Sequence, residues 1–151
     1  MFVYKGEKNM NFMNIAIKEA KKSYKIDDVP VGAVIVKDDV VIAKAHNMKE
    51  KKCNAIMHAE IIAIDKACKK LKRWRLDDCE LYVTMEPCMM CTGAILQSRI
   101  KKIYYSVDND DFGTLKNISQ EKKFGLDVNK GLCSLESLEM LKSFFYEKRK
   151  K

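Results

Sequence analysis

The stretch "MHAEIIAIDKA" at residues 57–67 combines a helical pattern with two chemically active side chains. Its apolar residues recur at helical spacing and continue past its end, which predicts an amphipathic helix over residues 58–71. His58 and Glu60 lie on the first turn of this helix, and the chain contains only two histidines. A histidine at the start of a helix in so histidine-poor a chain needs a specific explanation.

A second stretch, "TMEPCMMCTGAI" at residues 84–95, supplies that explanation. Cys88 and Cys91 lie three residues apart at the start of a predicted helix over residues 88–97, so both sulfurs can face one ion. The positive end of the helix also favours their thiolate forms. Zinc binds thiolates and imidazoles in a tetrahedron, and a catalytic zinc keeps its fourth position for water. With His58 as the third ligand, the two stretches predict one catalytic zinc.

Glu60 follows the histidine by two residues and completes the predicted site. A carboxylate there can lie beside a water on the metal, take its proton and pass it to a substrate nitrogen, which predicts hydrolytic chemistry. The residues alone leave three other interpretations open. Cys88 and Cys91 could be a redox pair, His46 could complete a structural zinc, or Glu60 could simply complement the helix dipole. We expect His46 to face solvent instead.

The order of the predicted elements indicates the fold class. Helical spacing of apolar residues predicts helices over residues 11–24, 58–71, 88–97 and 134–148. Runs of β-branched and aromatic residues predict a hairpin over residues 33–43 and strands over residues 80–85 and 101–107. No element is predicted over residues 114–132. Strands separated by helices favour an α/β/α sandwich of three layers with a mixed central sheet, and no linker divides residues 1–151, so one domain is expected.

The composition is that of a globular protein, with 47% hydrophobic and 33% charged residues in a chain of 151. No apolar run reaches the roughly 20 residues that a bilayer requires, and no secretory signal pattern is present. We therefore expect a cytoplasmic protein that has no membrane partner and keeps its cysteines reduced. The cysteines outside the predicted metal site are expected in or near the core; they are Cys53, Cys68, Cys79 and Cys133.

The two stretches also carry a family resemblance. H-A-E at residues 58–60 and P-C-M-M-C at residues 87–91 match H-x-E…P-C-x-x-C, the signature described for zinc nucleobase deaminases. Together with "VPVGAVIV", "HNMK", "LYVTMEPCMMCTGAILQSRI" and "LKSFFYEKRKK", they resemble the tRNA-specific adenosine deaminases over nearly the whole chain. The resemblance implies the cytidine deaminase-like sandwich and one zinc per subunit. The implied reaction is hydrolytic attack on C6 of the wobble adenosine of a tRNA anticodon, giving inosine, with Glu60 moving the protons.

The same resemblance implies roles for residues outside the metal site. Asn47 matches the asparagine that holds the target nucleoside, and Val31 falls in the segment that lines its pocket. The backbone around Ala59 would lie against the ring of the base, as would that around the first cysteine. Phe145 and Arg149, on the final helix, would contact nucleotides that flank the target in the anticodon stem-loop. Because core packing is the ordinary role of a helix phenylalanine, one of the pair at residues 144–145 is expected in the core.

One segment departs from the bacterial pattern of the family. Bacterial members usually have Asp-x-Lys-x-Gly after the fourth strand, whereas this chain has Asn-Asp-Asp-Phe-Gly at residues 109–113. Asn109 then takes the place of an acidic RNA contact, while Asp110 and Asp111 would repel phosphate. The Phe-Gly pair looks more like the eukaryotic catalytic subunit, which works with an inactive paralogue. A homodimer, as in bacterial members, is expected, and a heterodimer of the eukaryotic kind remains open.

Two other functions remain open beside tRNA deamination. A deaminase of free guanine, cytosine or cytidine would share the zinc chemistry, and an RNA-binding partner subunit would carry the zinc without activity. The net charge of +8, from 29 Lys and Arg against 21 Asp and Glu, favours a polyanionic partner, although a compositional bias toward lysine produces the same excess. Intact Glu60 favours an active enzyme.

Overall fold

Five strands form one mixed sheet in the computed structural model, which describes residues 5–150. The ends of the predicted domain, residues 1–4 and 151, lie outside the described residues. The strands are β1 (Gly32–Lys37), β2 (Val40–His46), β3 (Glu80–Met85), β4 (Lys102–Val107) and β5 (Asp127–Lys130), in the sheet order β2-β1-β3-β4-β5. β1 is antiparallel to both of its neighbours, and β4 is parallel to β3 and β5.

Helices cover both faces of this sheet. They are α1 (Lys5–Lys25), α2 (Ala59–Leu71), α3 (Met89–Ser98), the short α4 (Leu115–Ile118) and α5 (Ser134–Arg149), with a 3₁₀ turn at Lys122–Phe124. Because side chains alternate along a strand, Val34 and Val36 of β1 belong to the core cluster that contains residues of α1, while Ala33 and Ile35 belong to the cluster that contains residues of α2 and α3. The predicted three-layer α/β/α sandwich with a mixed sheet is confirmed.

The first helix is longer than predicted. It begins at Lys5 instead of residue 11, because its first turns are polar and exposed and show no apolar periodicity. Near its middle, α1 lies so close to β1 that a Cβ added to Gly32 would overlap the carbonyl oxygen of Ala16. Glycine at residue 32 therefore lets the helix contact the sheet directly. In the described part of the chain, no helix is both long enough and apolar enough to cross a bilayer.

The direction of the strands determines where the functional residues meet. β2, β3 and β4 all run opposite to β1, so their carboxyl ends lie at one edge of the sheet, where β1 begins. The segments that leave this edge are residues 47–58, residues 86–88 and residues 108–114. Val31 precedes β1 at the same edge. This edge therefore brings together segments that are far apart in sequence.

Candidate metal centre and substrate cavity

Two helix N-termini converge at this edge and carry the predicted zinc ligands. His58 is the residue immediately before α2, Cys88 is the residue immediately before α3, and Cys91 lies on the first turn of α3. Each predicted helix thus begins one residue later than expected. The Nδ1 atom of His58 lies 3.7 Å from the Cys88 sulfur and 3.5 Å from the Cys91 sulfur. The three candidate ligand atoms all lie within 4.8 Å of one another.

The spacing of these atoms fits a zinc ion. With zinc–sulfur and zinc–nitrogen distances of about 2.3 and 2.0 Å, tetrahedral angles separate the sulfur and the nitrogen by about 3.5 Å. No further His, Cys, Asp or Glu joins the three-residue group among residues 5–150. Two thiols and one imidazole therefore suit a zinc that keeps an open position. A redox pair would need only the two cysteines, so the presence of His58 beside them favours a metal site.

Glu60 lies on the first turn of α2, and only 4% of it is exposed. Burial raises the pKa of its carboxyl to about 7, because a charged carboxylate loses stabilisation when it is removed from water. The two thiols share a hydrogen bond, which lowers the pKa of Cys88 to about 4 and raises that of Cys91. A hydrogen bond to Cys88 raises the pKa of His58. The protons of these four side chains are thus strongly interdependent.

A cavity of about 770 Å³, here called the metal cavity, opens over this cluster. Its volume is within the roughly 300–1,000 Å³ usual for small-ligand sites. Eight of the residues predicted from the sequence line it; they are Val31, Asn47, His58, Ala59, Glu60, Cys88, Asn109 and Phe145. Apolar side chains complete the wall, among them Met85, Met89, Met90 and Phe112. A cavity with an apolar wall and polar groups at its floor suits a flat heterocycle.

Asn47 is held in place from several sides. Only 7% of it is exposed, and its backbone carbonyl accepts a 2.7 Å hydrogen bond from the Ser23 hydroxyl of α1. Its side-chain amide donates to the carbonyl of Val29 at 3.2 Å and accepts from the backbone N–H of Lys49 at 3.2 Å. The cavity wall at Asn47 is therefore fixed by α1 and by the segment before β1.

A second hollow of about 620 Å³, here called the α5 groove, adjoins the metal cavity. Arg149, Lys142, Asp110 and Asp111 line it, and none of the four forms an ion pair with another described residue. Phe145 lies at the junction of the two hollows. It is 41% exposed whereas its neighbour at residue 144 is buried, which confirms that one phenylalanine of the pair packs in the core.

Two sequence-based expectations about side chains are wrong. His46 does not simply face solvent, because its Nδ1 lies 3.6 Å from Oε1 of Glu19, a buried glutamate of α1 that no apolar pattern reveals. His46 does not join the metal cluster either. Cys53 is exposed, because it lies in the polar segment between β2 and α2; Cys79 is buried, and Cys68 and Cys133 are partly buried.

Glu86 is a residue of the cavity wall that the sequence did not reveal. It is 1% exposed and lies between β3 and the first cysteine ligand. Its Oε1 accepts the backbone N–H of Asn109 at 3.2 Å, and its Oε2 accepts that of Lys116 at 3.1 Å. From the sequence alone, an acidic residue before Pro-Cys would be predicted to lie exposed in a loop. Its hydrogen-bond partners come from residues 109–116, which follow β4. No local signal could have found it.

The fold and the cluster together define a class, the zinc-dependent nucleobase deaminases. Residues 6–107 match the sequence model of the cytidine and deoxycytidylate deaminase zinc-binding region. The tRNA-specific adenosine deaminase of Bacillus subtilis (strain 168) is 45% identical over 145 residues, which cover 93% of this chain and 90% of that protein. The chain belongs to the cytidine and deoxycytidylate deaminase family, and within it to the tRNA-specific adenosine deaminases.

Solved structures agree with this membership. One, from a study of A-to-I editing by tRNA:A34 deaminases at the wobble position of transfer RNA, has a TM-score of 0.81 and 39% identity, and the match covers 87% of this chain and 99% of that one. The guanine deaminase of Bacillus subtilis has a TM-score of 0.64 and 38% identity, and its match covers 74% of each chain. The cytidine deaminase-like fold and its zinc cofactor follow from these matches together with the metal cluster.

Proposed function

We propose that this chain deaminates adenosine to inosine at the wobble position of a tRNA anticodon, with release of ammonia. The observation that carries the proposal is that Glu60 lines the metal cavity together with His58 and Cys88, two of the three residues that could hold the metal with Cys91. Membership of the tRNA-specific adenosine deaminases supports adenosine in tRNA as the substrate. The histidine and the two cysteines would hold one zinc in this site, and it would supply a water activated for attack on carbon.

The residues of the chain divide the remaining work. Glu60 accepts a proton from the attacking water at its carboxylate and donates it to the adenine ring nitrogen. It then accepts the proton of the hydroxyl added at C6 and donates it to the departing amino nitrogen, which leaves as ammonia. Asn47, Val31 and the backbone at Ala59 hold the nucleoside, which must leave its stack in the anticodon loop before its C6 atom can be reached. Asn109 contributes to the same wall.

The α5 groove supports an extended RNA substrate over a free base. It adjoins the metal cavity, shares Phe145 with it and is also lined by Arg149. An aromatic side chain can stack on a flanking base, and a guanidinium can pair with phosphate. A free base would occupy only the metal cavity. The other wall carries Asp110 and Asp111, so phosphate contact is assigned to the α5 side alone.

We infer a single domain over residues 1–151 and a cytoplasmic homodimer. Large apolar side chains are exposed close to the metal cavity, with Met89 at 77%, Phe112 at 73% and Ile56 at 51%, which supports their burial against a second subunit. The mass of the purified chain in solution tests this directly. A monomer that gains activity only with a paralogous subunit would indicate the heterodimer instead.

The decisive experiment is inosine formation on an anticodon stem-loop that carries a wobble adenosine, with purified protein and zinc. Guanine and cytidine are assayed alongside, and Glu60→Ala is the control. Inosine from the wild type and none from the variant supports the proposal. Ammonia from guanine would favour a free-base deaminase, the second candidate, which the 38% identity to a guanine deaminase supports. Equal activity of the wild type and Glu60→Ala would contradict the role of Glu60.

A further inference from the structure

Residues 109–116 contribute one part of the metal-cavity wall, beside Cys88, and are not part of a long helix or strand. This segment contains Asn109 and Phe112, which both line the cavity, and ends in the four-residue helix α4. Asn109 stabilises the turn itself, since its Oδ1 accepts the backbone N–H of Phe112 at 3.1 Å. A substrate wall built on so little regular structure needs an anchor outside itself.

We propose that the buried carboxylate of Glu86 is this anchor and positions residues 109–116, so that it sets how tightly the target nucleoside is held. Its two oxygens accept backbone N–H groups from the two ends of the segment, at Asn109 (3.2 Å) and at Lys116 (3.1 Å). The role deepens the proposed function, on which it rests. Glu86 is a positioning residue, because it is not in the metal cluster and the proton transfers do not use it.

The chemistry of the anchor requires a carboxylate. A glutamate side chain offers two acceptor oxygens and no donor, which suits two backbone N–H groups that point at it. Glutamine would satisfy one of them and turn an NH₂ donor toward the other. The Lys116 ammonium lies 3.9 Å from Oε1 on a side chain that is 44% exposed, so it contributes less than the two backbone contacts.

Gly113 supports the same assignment independently. A Cβ at this residue would overlap Oε1 of Glu86 and would lie 2.5 Å from the carbonyl oxygen of Asn109. A backbone hydrogen bond also joins the segment to the residue before Cys88: the N–H of Thr114 donates to the carbonyl of Pro87 at 3.1 Å. The glycine thus leaves space for the carboxylate, and enlarging it should displace the anchor without altering the charge.

The test compares Glu86→Gln and Gly113→Ala with two controls in the full-length zinc-loaded protein. Lys116→Ala removes the side-chain ion pairs with Glu86 and Asp108 but keeps the backbone N–H, and Gly6→Ala makes the glycine change where nothing lies within 4 Å. Steady-state inosine formation on the anticodon stem-loop gives KM and kcat separately. Amide hydrogen exchange over residues 109–116 reports the order of the segment without any substrate, and metal analysis reports the zinc content.

We expect both test variants to raise KM about tenfold, since an unsatisfied buried N–H costs on the order of one factor of ten in binding. kcat should change by less than about threefold and zinc content not at all, while exchange accelerates at residues 109–116 and not in α2 or α3. Lys116→Ala should raise KM by much less, and Gly6→Ala should match the wild type.

Several results would overturn the proposal. Unchanged amide hydrogen exchange over residues 109–116 in both test variants would overturn it, whatever their activity. A fall in kcat at constant KM, or a loss of zinc, would also overturn it. If Glu86→Gln does not fold, Gly113→Ala decides the question alone. A wild type that forms no inosine would overturn the proposed function, and the exchange data would still decide whether Glu86 positions the wall.

Discussion

The roles proposed for Glu60 and for the three candidate zinc ligands differ, although these side chains lie close together, so substitution can separate them. Glu60 lies on α2 within the cavity, outside the group of three ligand atoms. Glu60→Gln keeps the shape of the side chain and removes its ability to accept a proton. We expect the rate of inosine formation to fall roughly 10²- to 10⁴-fold, the usual contribution of general acid–base catalysis. Rate measurements at saturating stem-loop, with metal analysis, check this.

The zinc content distinguishes the intended effect from a damaged site. Glu60→Gln should bind as much zinc as the wild type, because the metal ligands are unchanged. A rate within about threefold of the wild type would contradict the proton-transfer role, since that role supplies at least about a hundredfold.

The buried Cys91 provides the complementary prediction. In Cys91→Ser, a hydroxyl replaces the thiolate, and zinc prefers the sulfur ligand. We expect zinc per chain to fall well below one and inosine formation to be lost. Cys68→Ser is the matched control, because Cys68 lies on α2 outside the cluster and its thiol donates a hydrogen bond to the carbonyl of Trp74. Full zinc occupancy in Cys91→Ser, measured by metal analysis, would show that the ligand assignment is wrong.

At the level of single residues, sequence reasoning reached the side chains whose chemistry depends on local spacing. His58, Glu60 and the cysteine pair have fixed separations at helix starts, and helix geometry then determines their directions. Glu86 could not be reached in this way. Its partners are the backbone N–H groups of residues 109 and 116. These residues lie near Glu86 because β4, which precedes them, is next to β3 in the sheet.

At the level of elements, the contact between α1 and β1 makes a stability prediction. In Gly32→Ala, the added Cβ overlaps the carbonyl oxygen of Ala16, and neither the helix nor the strand can move without disturbing the core. We expect a loss of about 3 kcal/mol in the free energy of unfolding and a Tm lower by roughly 10 °C. Denaturant and thermal unfolding measure both. The result would contradict the close contact if the variant were as stable as the wild type.

Gly6→Ala is the control for that substitution. Gly6 lies on the exposed first turns of α1, with open space around its α-carbon. Because alanine is the better helix former, this change should leave the free energy of unfolding unaltered or raise it by up to about 1 kcal/mol.

The elements that pattern reasoning missed are those with little apolar surface. β5 has the sequence DVNK, in which only Val128 packs against the core, so no alternation is visible in four residues. Its pairing with β4 forms it instead. By contrast, the strand predicted over residues 80–85 coincides with β3, whose central residues are all buried. Burial on both faces gives a continuous apolar run, which the sequence displays directly.

At the scale of the whole molecule, the metal cavity adjoins the α5 groove, which both acidic and basic side chains line. Binding of an RNA substrate that occupies both hollows should therefore depend on the salt concentration. Each phosphate contact releases counterions, so the association constant falls as salt rises. For about three contacts to single-stranded RNA, binding of the anticodon stem-loop should weaken on the order of tenfold between 50 and 200 mM salt. Free adenosine should show little change. Fluorescence titration of Glu60→Gln, which leaves the substrate intact, provides the measurement.

The slope of that titration also tests which side chains meet the phosphates. Arg149 and Lys142 line the α5 groove without ion-pair partners among the described residues, so each is available to pair with phosphate. Arg149→Gln should reduce the slope of log K against log salt by about 0.7, the share of one phosphate contact on a single strand. Lys8→Gln is the control, because Lys8 pairs with Asp39 and lines neither hollow. An equal slope for the wild type and Arg149→Gln would show that Arg149 does not contact phosphate. A wild-type affinity that is independent of salt would show that the α5 groove does not bind the RNA backbone.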